Sequence, residues 1–355
     1  MKDVLDDIHI TKTSQSRLPS VDLSNLTFGS VFSDHMFIAD YIDGEWQTPQ
    51  IMPYGPISIE PGAKVFHYGQ AVFEGMKAFK DKDGNIFLFR PDKNFERINR
   101  SAWRLAMPPI PEEYFMGGIK KLVELDKDWI PEGEGASLYI RPVYIAIDNQ
   151  IAASPSKNYR FMIITSPAQS YFSGEVKVKI EQKYSRACDG GVGFAKAAGN
   201  YAAQFMPTAL ANKEGYKQLI WTDSKTHELV EESGAMNVFF RIGDEICTAP
   251  LSDRILPGVT RDSLLQLGKD HGLNIRERKI TVDELVEAAE KGELKEIFGA
   301  GTAVTVLPIK GFGYEDKYYE MPELENPVAL VLKHMLLDIQ YNRAPDPYGW
   351  RYQIL

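Results

Sequence analysis

Two Asp-Gly pairs in the first hundred residues, each set beside apolar runs, narrow most what this chain can fold into. Residues 36–42 (MFIADYI) run into Asp43-Gly44, and residues 76–80 and 85–90 flank Asp83-Gly84. Asp-Gly tolerates the left-handed backbone that a two-residue hairpin turn requires, so both places predict paired antiparallel strands. The period then changes. After Pro91, Phe95, Ile98, Ala102 and Leu105 share one helical face, and Pro108-Pro109 ends it. A second helix is predicted over 112–127, with Phe115, Ile119 and Leu122 inward and Gly117-Gly118 weakening its middle. Residues 137–147 and 160–166 read as strands.

Residues 167–175 (PAQSYFSGE) are rich in Pro, Gly and Ser and read as a linker. Beyond them VKVKIEQKY alternates as a half-buried strand does, and strands at 218–222, 236–241 and 294–298 are mixed with amphipathic helices. One helix starts near Thr260 and ends at Gly272. Another opens on a Thr281 to Glu284 capping box and stops at Gly292, and the last opens at Asn326-Pro327. The predicted division is a small α/β domain over 1–168, a linker over 169–175 and a large domain over 176–355. A length of 355 residues fits two domains.

A hydrophobic share of 44% with 25% charged residues excludes a disordered chain. With 40 Lys+Arg against 49 Asp+Glu the net charge is −9, which argues against a nucleic-acid partner. The two cysteines, Cys188 and Cys247, form no C-x-x-C pair, so neither a disulfide scaffold nor a metal site is expected. The start, MKDVLDDIHITK, has no apolar signal core, and no apolar run reaches the roughly 20 residues of a membrane span. The expected location is the cytoplasm, with no membrane partner.

Lys196 lies in GFAKAAGNYAAQ among Ala195, Ala197, Ala198 and Gly199. A lysine that must lose its proton and attack a carbonyl needs a tight, desolvated setting of that kind, although a surface lysine can have the same neighbours. In VEESGAMNVFF, Glu231 and Glu232 stand at the mouth of an apolar strand. There a carboxylate needs a cationic partner such as a protonated ring nitrogen, unless both are exposed turn acids. Val259 and Thr260 follow Pro257-Gly258 at a helix start, where free N–H groups can hold a phosphate. Thr302 and Ala303 close a small-residue loop, Gly299 to Ala303, of the same character but without Rossmann or P-loop spacing. Arg97, at the edge of its helix's apolar stripe, can turn inward to an anion or outward to solvent. Tyr68, Phe73 and Gly75 can line an apolar pocket or belong to the core. Anion holders, one lysine, one carboxylate and an apolar pocket together suit pyridoxal 5′-phosphate (PLP), a phosphorylated aldehyde with a basic ring nitrogen.

KAAGNYAAQ, LVEESGAMN, LPGVTRDSLL and FGAGTAVTVLPI, in this order, resemble the branched-chain amino acid aminotransferases, which are fold type IV PLP enzymes. FGSVFSDHMF, HYGQAVFEGMKAF, LFRPDKNFERINRSAWRLAMP, LYIRP and IQYNR extend the match over nearly the whole chain. The resemblance implies an α+β fold of the D-amino acid aminotransferase type, two α/β domains with the active site between them, and a homodimer. It implies that Lys196 binds the cofactor covalently, that Tyr201 meets its phenolic oxygen and Glu232 its ring nitrogen. Arg97, Val259, Thr260 and Thr302 would hold the phosphate, and Thr302 and Ala303 would serve the substrate carboxylate. Tyr68, Phe73, Gly75, Tyr139, Arg141 and Tyr171 would shape the side-chain pocket. The implied substrates are leucine, isoleucine and valine, exchanging an amino group with 2-oxoglutarate and glutamate. A D-amino acid aminotransferase or aminodeoxychorismate lyase shares the Lys and Glu, and a non-catalytic PLP-binding regulator is a further alternative. Val304 and Leu307 stand where mammalian members carry a redox C-x-x-C, so that thiol switch is expected to be absent. Ala198 stands where many members have Gly, and Ala235 where some have Thr.

Overall fold

A computed structural model describes residues 8–169 and 175–355 of the chain. Its contacts define two compact units: Met1–Tyr171 with Ala195–Gly199 and Ile339–Leu355, and Phe172–Phe194 with Asn200–Asp338. The lysine segment and the last residues therefore group with the first unit, whereas the sequence division put both in the second. Local pairing is the reason. Ala197 bridges Val72, the Phe73 N–H donates to the Lys196 carbonyl at 3.1 Å, and Ala198 N–H donates to the Ala71 carbonyl at 3.0 Å. Arg351–Gln353 pairs antiparallel with Ile86–Phe89. Residues 170–174, most of the expected linker, lie outside the described residues.

The first unit is built on a ten-stranded sheet. At its centre Tyr159–Ala168 pairs antiparallel with both His35–Ile42 and Ser137–Ala146, and Met76–Lys80 continues the sheet to Ile86–Phe89. Both Asp-Gly turns lie where the sequence sets them. Helix Pro91–Arg104 buries Ile98 and Ala102, and a π-helical turn, Glu113–Gly117, runs into helix Gly118–Leu125. Phe115, Ile119 and Leu122 are completely buried with Phe37, Phe161 and Ile163. Gly118 is needed here for its lack of a side chain: a Cβ would stand 2.9 Å from the Phe37 ring. The glycine pair that weakens the helix in isolation thus lets it approach the sheet.

The second unit holds two five-stranded sheets. In one, Lys177–Ile180 lies parallel to both Gln218–Thr222 and Gly311–Tyr314, with Val230–Ser233 on the outer side of Gln218–Thr222. In the other, Asn237–Ile242 pairs antiparallel with Glu245–Thr248 and Leu294–Gly301. Helices Val259–Asp270 and Val282–Glu290 follow the expected spans. The Thr281 side chain accepts from the Glu284 N–H at 3.0 Å, but the Glu284 carboxylate turns to Arg278 at 2.6 Å, so half of the capping box forms. No helix among the described residues is long and apolar enough to cross a membrane.

Candidate active site

The first unit gathers Lys196, Phe73, Gly75, Arg97, Tyr139 and Arg141. Lys196 is half-buried on a backbone held from two sides. Its carbonyl accepts from Phe73, and its N–H donates to Ser101 Oγ at 2.9 Å. Ser101 Oγ in turn donates to the Arg97 carbonyl at 2.8 Å, which ties the lysine segment to helix Pro91–Arg104. The Lys196 Nζ stands 4.8 Å from the centre of the Phe73 ring, and the Arg141 guanidinium stands 4.6 Å from the same centre. Alternation along Ser137–Ala146 puts Tyr139 and Arg141 on one face. Arg141 Nη2 donates to the Tyr139 hydroxyl at 3.0 Å, and its buried Nε has no acceptor among the described residues. A Cβ at Gly75 would stand 2.0 Å from the Tyr139 hydroxyl, so only glycine fits beneath that ring.

Arg97 turns inward and is 5% exposed. Its partner is Glu74, a residue that sequence reasoning missed. Nε donates to Oε1 at 2.6 Å and Nη2 to Oε2 at 2.8 Å. Asn94 Nδ2 donates to Oε2 at 2.7 Å. Burial works against ionisation of Glu74, but the charge and hydrogen bond of Arg97, the charge of Lys196 and the Asn94 bond outweigh it. They hold the carboxyl below its ordinary range. Phe28, also missed, sets its ring edge-on to Tyr139 at 4.9 Å. Tyr68 stands apart: it ends helix Lys64–Tyr68, is 45% exposed and donates to the Ile151 carbonyl. Tyr171 lies outside the described residues.

The second unit holds Glu232, Val259, Thr260, Thr302, Ala303 and Tyr201, and in it Asn237 links Glu232 to the turn before Val259. Glu232 and Glu231 are successive strand residues, both buried, with different partners. Glu232 Oε1 receives Arg186 Nη2 at 2.6 Å and the Leu256 N–H at 3.1 Å, and Oε2 receives Asn237 Nδ2 at 2.7 Å. Glu231 meets the Arg254 guanidinium instead. Asn237 Nδ2 also donates to the Leu256 carbonyl at 3.0 Å, which binds Glu232 to the turn before helix Val259–Asp270. Val259 and Thr260 are the first two residues of that helix, where N–H groups have no partner earlier in the helix. Asn237 pairs in register with Ala300, and the following Gly301 leads into the turn holding Thr302 and Ala303, both half-buried. Tyr201 occupies the first turn of helix Gly199–Lys213 and is half-buried.

These donor sets fit PLP. The first unit offers an amine and a rigidly held guanidinium. The second offers a buried carboxylate and a helix N-terminus. Among the described residues no group of three or more His, Cys, Asp or Glu could hold a metal ion.

An α+β chain with a structurally fixed lysine, a buried guanidinium and a carboxylate beside a helix start has the parts of a PLP-dependent enzyme. The family model for amino-transferase class IV matches residues 71–312, and the chain belongs to that family. It is 43% identical over 339 residues to branched-chain-amino-acid transaminase 1 of Bacillus subtilis (strain 168), covering 94% of this chain and 95% of that protein. It shares its fold with the branched-chain aminotransferase of Thermoproteus uzoniensis solved with norvaline, at a TM-score of 0.74 and 23% identity, covering 90% of this chain and all of that one. The same fold recurs in the PLP form of the branched-chain amino acid aminotransferase from Thermobaculum terrenum. There the TM-score is 0.73 and the identity 19%, with 90% of this chain and 98% of that one covered.

Proposed function

We propose that this chain is a PLP-dependent branched-chain amino acid aminotransferase. It moves the amino group of L-leucine, L-isoleucine or L-valine reversibly to 2-oxoglutarate, giving a branched 2-oxo acid and L-glutamate. One observation carries the reading of the pocket. The amine of Lys196 and the guanidinium of Arg141 lie on the same Phe73 ring, at 4.8 and 4.6 Å. An amine, an apolar surface and a cation in one place suit a site that must accept both an isobutyl side chain and a carboxylate. The 43% identity to the Bacillus subtilis transaminase supports the same substrates.

When bound, PLP supplies a reactive aldehyde and a ring that accepts electrons. Lys196 would provide the amine for covalent attachment and, as a free amine, would carry the proton between the substrate Cα and the cofactor's C4′ carbon. Glu232 would hold the proton on the ring nitrogen, and Tyr201 would donate to the phenolic oxygen. Arg97, Val259, Thr260 and Thr302 would hold the phosphate. Thr302 and Ala303 receive the α-carboxylate. Phe73, Gly75, Tyr139 and Tyr171 form the side-chain wall, and Arg141 receives the distal carboxylate of glutamate.

The enzyme works as a homodimer in the cytoplasm, on small molecules alone. Phe66, Tyr68 and Ile151 are 62%, 45% and 71% exposed, an apolar group that a second copy would cover. The test is a glutamate assay with leucine and 2-oxoglutarate. The wild-type protein forms glutamate, and Lys196→Ala forms none and loses the borohydride-fixed cofactor. Turnover of D-alanine but not leucine would overturn the reading, as would cofactor fixed to another lysine.

A further inference from the structure

Glu74 is 0% exposed, and the proposed chemistry gives it no role of its own. Yet its carboxylate accepts four hydrogen bonds, two from Arg97, one from Asn94 and one from the Gly75 N–H at 3.1 Å. A buried ion pair adds little stability over a well-packed apolar pair of the same volume, so stability alone does not account for it. What the arrangement does is fix orientation. Two parallel bonds from Nε and Nη2 determine the plane of the Arg97 guanidinium, and Asn94, on the same helix, fixes the carboxylate.

We infer that Glu74 is a positioning residue, which presets the Arg97 guanidinium to receive the cofactor phosphate. This rests on the reading of Arg97 as a phosphate holder. Long side chains lose rotamer freedom when they bind, and a guanidinium already held has less to lose.

The full-length protein, stripped of cofactor and titrated with PLP or with pyridoxal, which lacks the phosphate, tests this. Glu74→Gln is expected to weaken PLP about tenfold or more, the scale of one charge-assisted hydrogen bond. Pyridoxal binding should change by less than about threefold, and in an Arg97→Met background Glu74→Gln should add nothing further. PLP binding near the parental value, equal losses for PLP and pyridoxal, or additive losses in the double variant would each overturn the inference. If Glu74→Gln alone does not fold, Glu74→Asp, which keeps the charge but draws the carboxylate back from the two-bond geometry, takes its place, with the same selective loss of PLP over pyridoxal expected. PLP binding by Arg97→Met at the parental level would show instead that the reading of Arg97 is wrong.

Discussion

Arg141 Nη2 donates to the hydroxyl of Tyr139 at 3.0 Å, two residues away on the same face of the strand Ser137–Ala146. The hydroxyl sits over Gly75, where no side chain could fit, and the Tyr139 ring is braced by Phe28. Arg141 is therefore held at one nitrogen by a group that is itself immobile, while its Nε is buried without an acceptor among the described residues. A guanidinium with unused donors beside an apolar ring is prepared for a carboxylate.

The consequence is a difference between substrates. A charge-assisted hydrogen bond contributes about 1.5–3 kcal/mol, so Arg141→Met should weaken glutamate and 2-oxoglutarate by roughly ten- to a hundredfold. Leucine has no distal charge and should be affected far less. Steady-state kinetics with each substrate pair separates the cases. Equal losses for leucine and glutamate would mean that Arg141 supports the sheet and not the substrate.

Periodicity made the helix Pro91–Arg104 and the strands around it legible, because their buried positions are apolar and regularly spaced. It failed for Gly199–Lys213. That helix buries Asn200, Gln204, Pro207 and Ala211, spaced four, three and four apart, while Phe205 and Met206 are exposed. The spacing is helical but the residues are polar or small, so an apolar stripe never appears. Arg97 could be picked out by its place at the stripe's edge, but Glu74 could not: it interrupts an apolar stretch and its partner lies 23 residues away. By residue chemistry Glu232 was legible only jointly with Glu231, and the family resemblance alone singled it out. Their separation by partner, Arg186 for one and Arg254 for the other, arises from tertiary packing.

The half-formed capping box gives a local stability prediction. Thr281 Oγ1 accepts from the Glu284 N–H, whereas the Glu284 side chain is engaged by Arg278. Removing the hydroxyl costs about 1 kcal/mol, and Thr281→Ser keeps it. In Thr281→Ala the first-turn amides of helix Val282–Glu290 should exchange with solvent roughly fivefold faster, with the serine variant near wild type. Unchanged exchange at Glu284 would show that Arg278 alone secures the helix start.

The two cysteines should differ sharply in reactivity. Cys188 is exposed, whereas Cys247 is fully buried on the strand Glu245–Thr248 and donates to the Phe240 carbonyl at 3.5 Å. Burial pushes its thiol up to about 12. Since the thiolate is the reactive form, only about one Cys247 in ten thousand is reactive at pH 8, before access is considered. Native protein should react quickly with one equivalent of an aromatic disulfide reagent, forming a mixed disulfide at Cys188 and releasing one equivalent of the reagent's thiolate, and should release the second only on unfolding. Two fast equivalents would contradict this burial.

Glu232 carries the sharpest prediction for the chemistry. Its carboxylate is matched by Arg186, and both side chains are 6% exposed. Glu232→Gln keeps the shape and removes the charge that would hold a proton on the ring nitrogen. Loss of one preorganised electrostatic partner lowers turnover by about a hundred- to a thousandfold, so kcat should fall on that scale while the cofactor remains bound. The same substitution leaves Arg186 buried without its counter-charge, a cost of roughly 3 kcal/mol, so the melting temperature should also fall. The two effects separate in Glu232→Gln combined with Arg186→Met, which removes the unmatched cation. There stability should return while turnover stays low. Recovery of turnover together with stability would mean that Glu232 serves the fold alone. Near-normal kcat in the single variant would move the ring-nitrogen role to another group, Glu231 first among them.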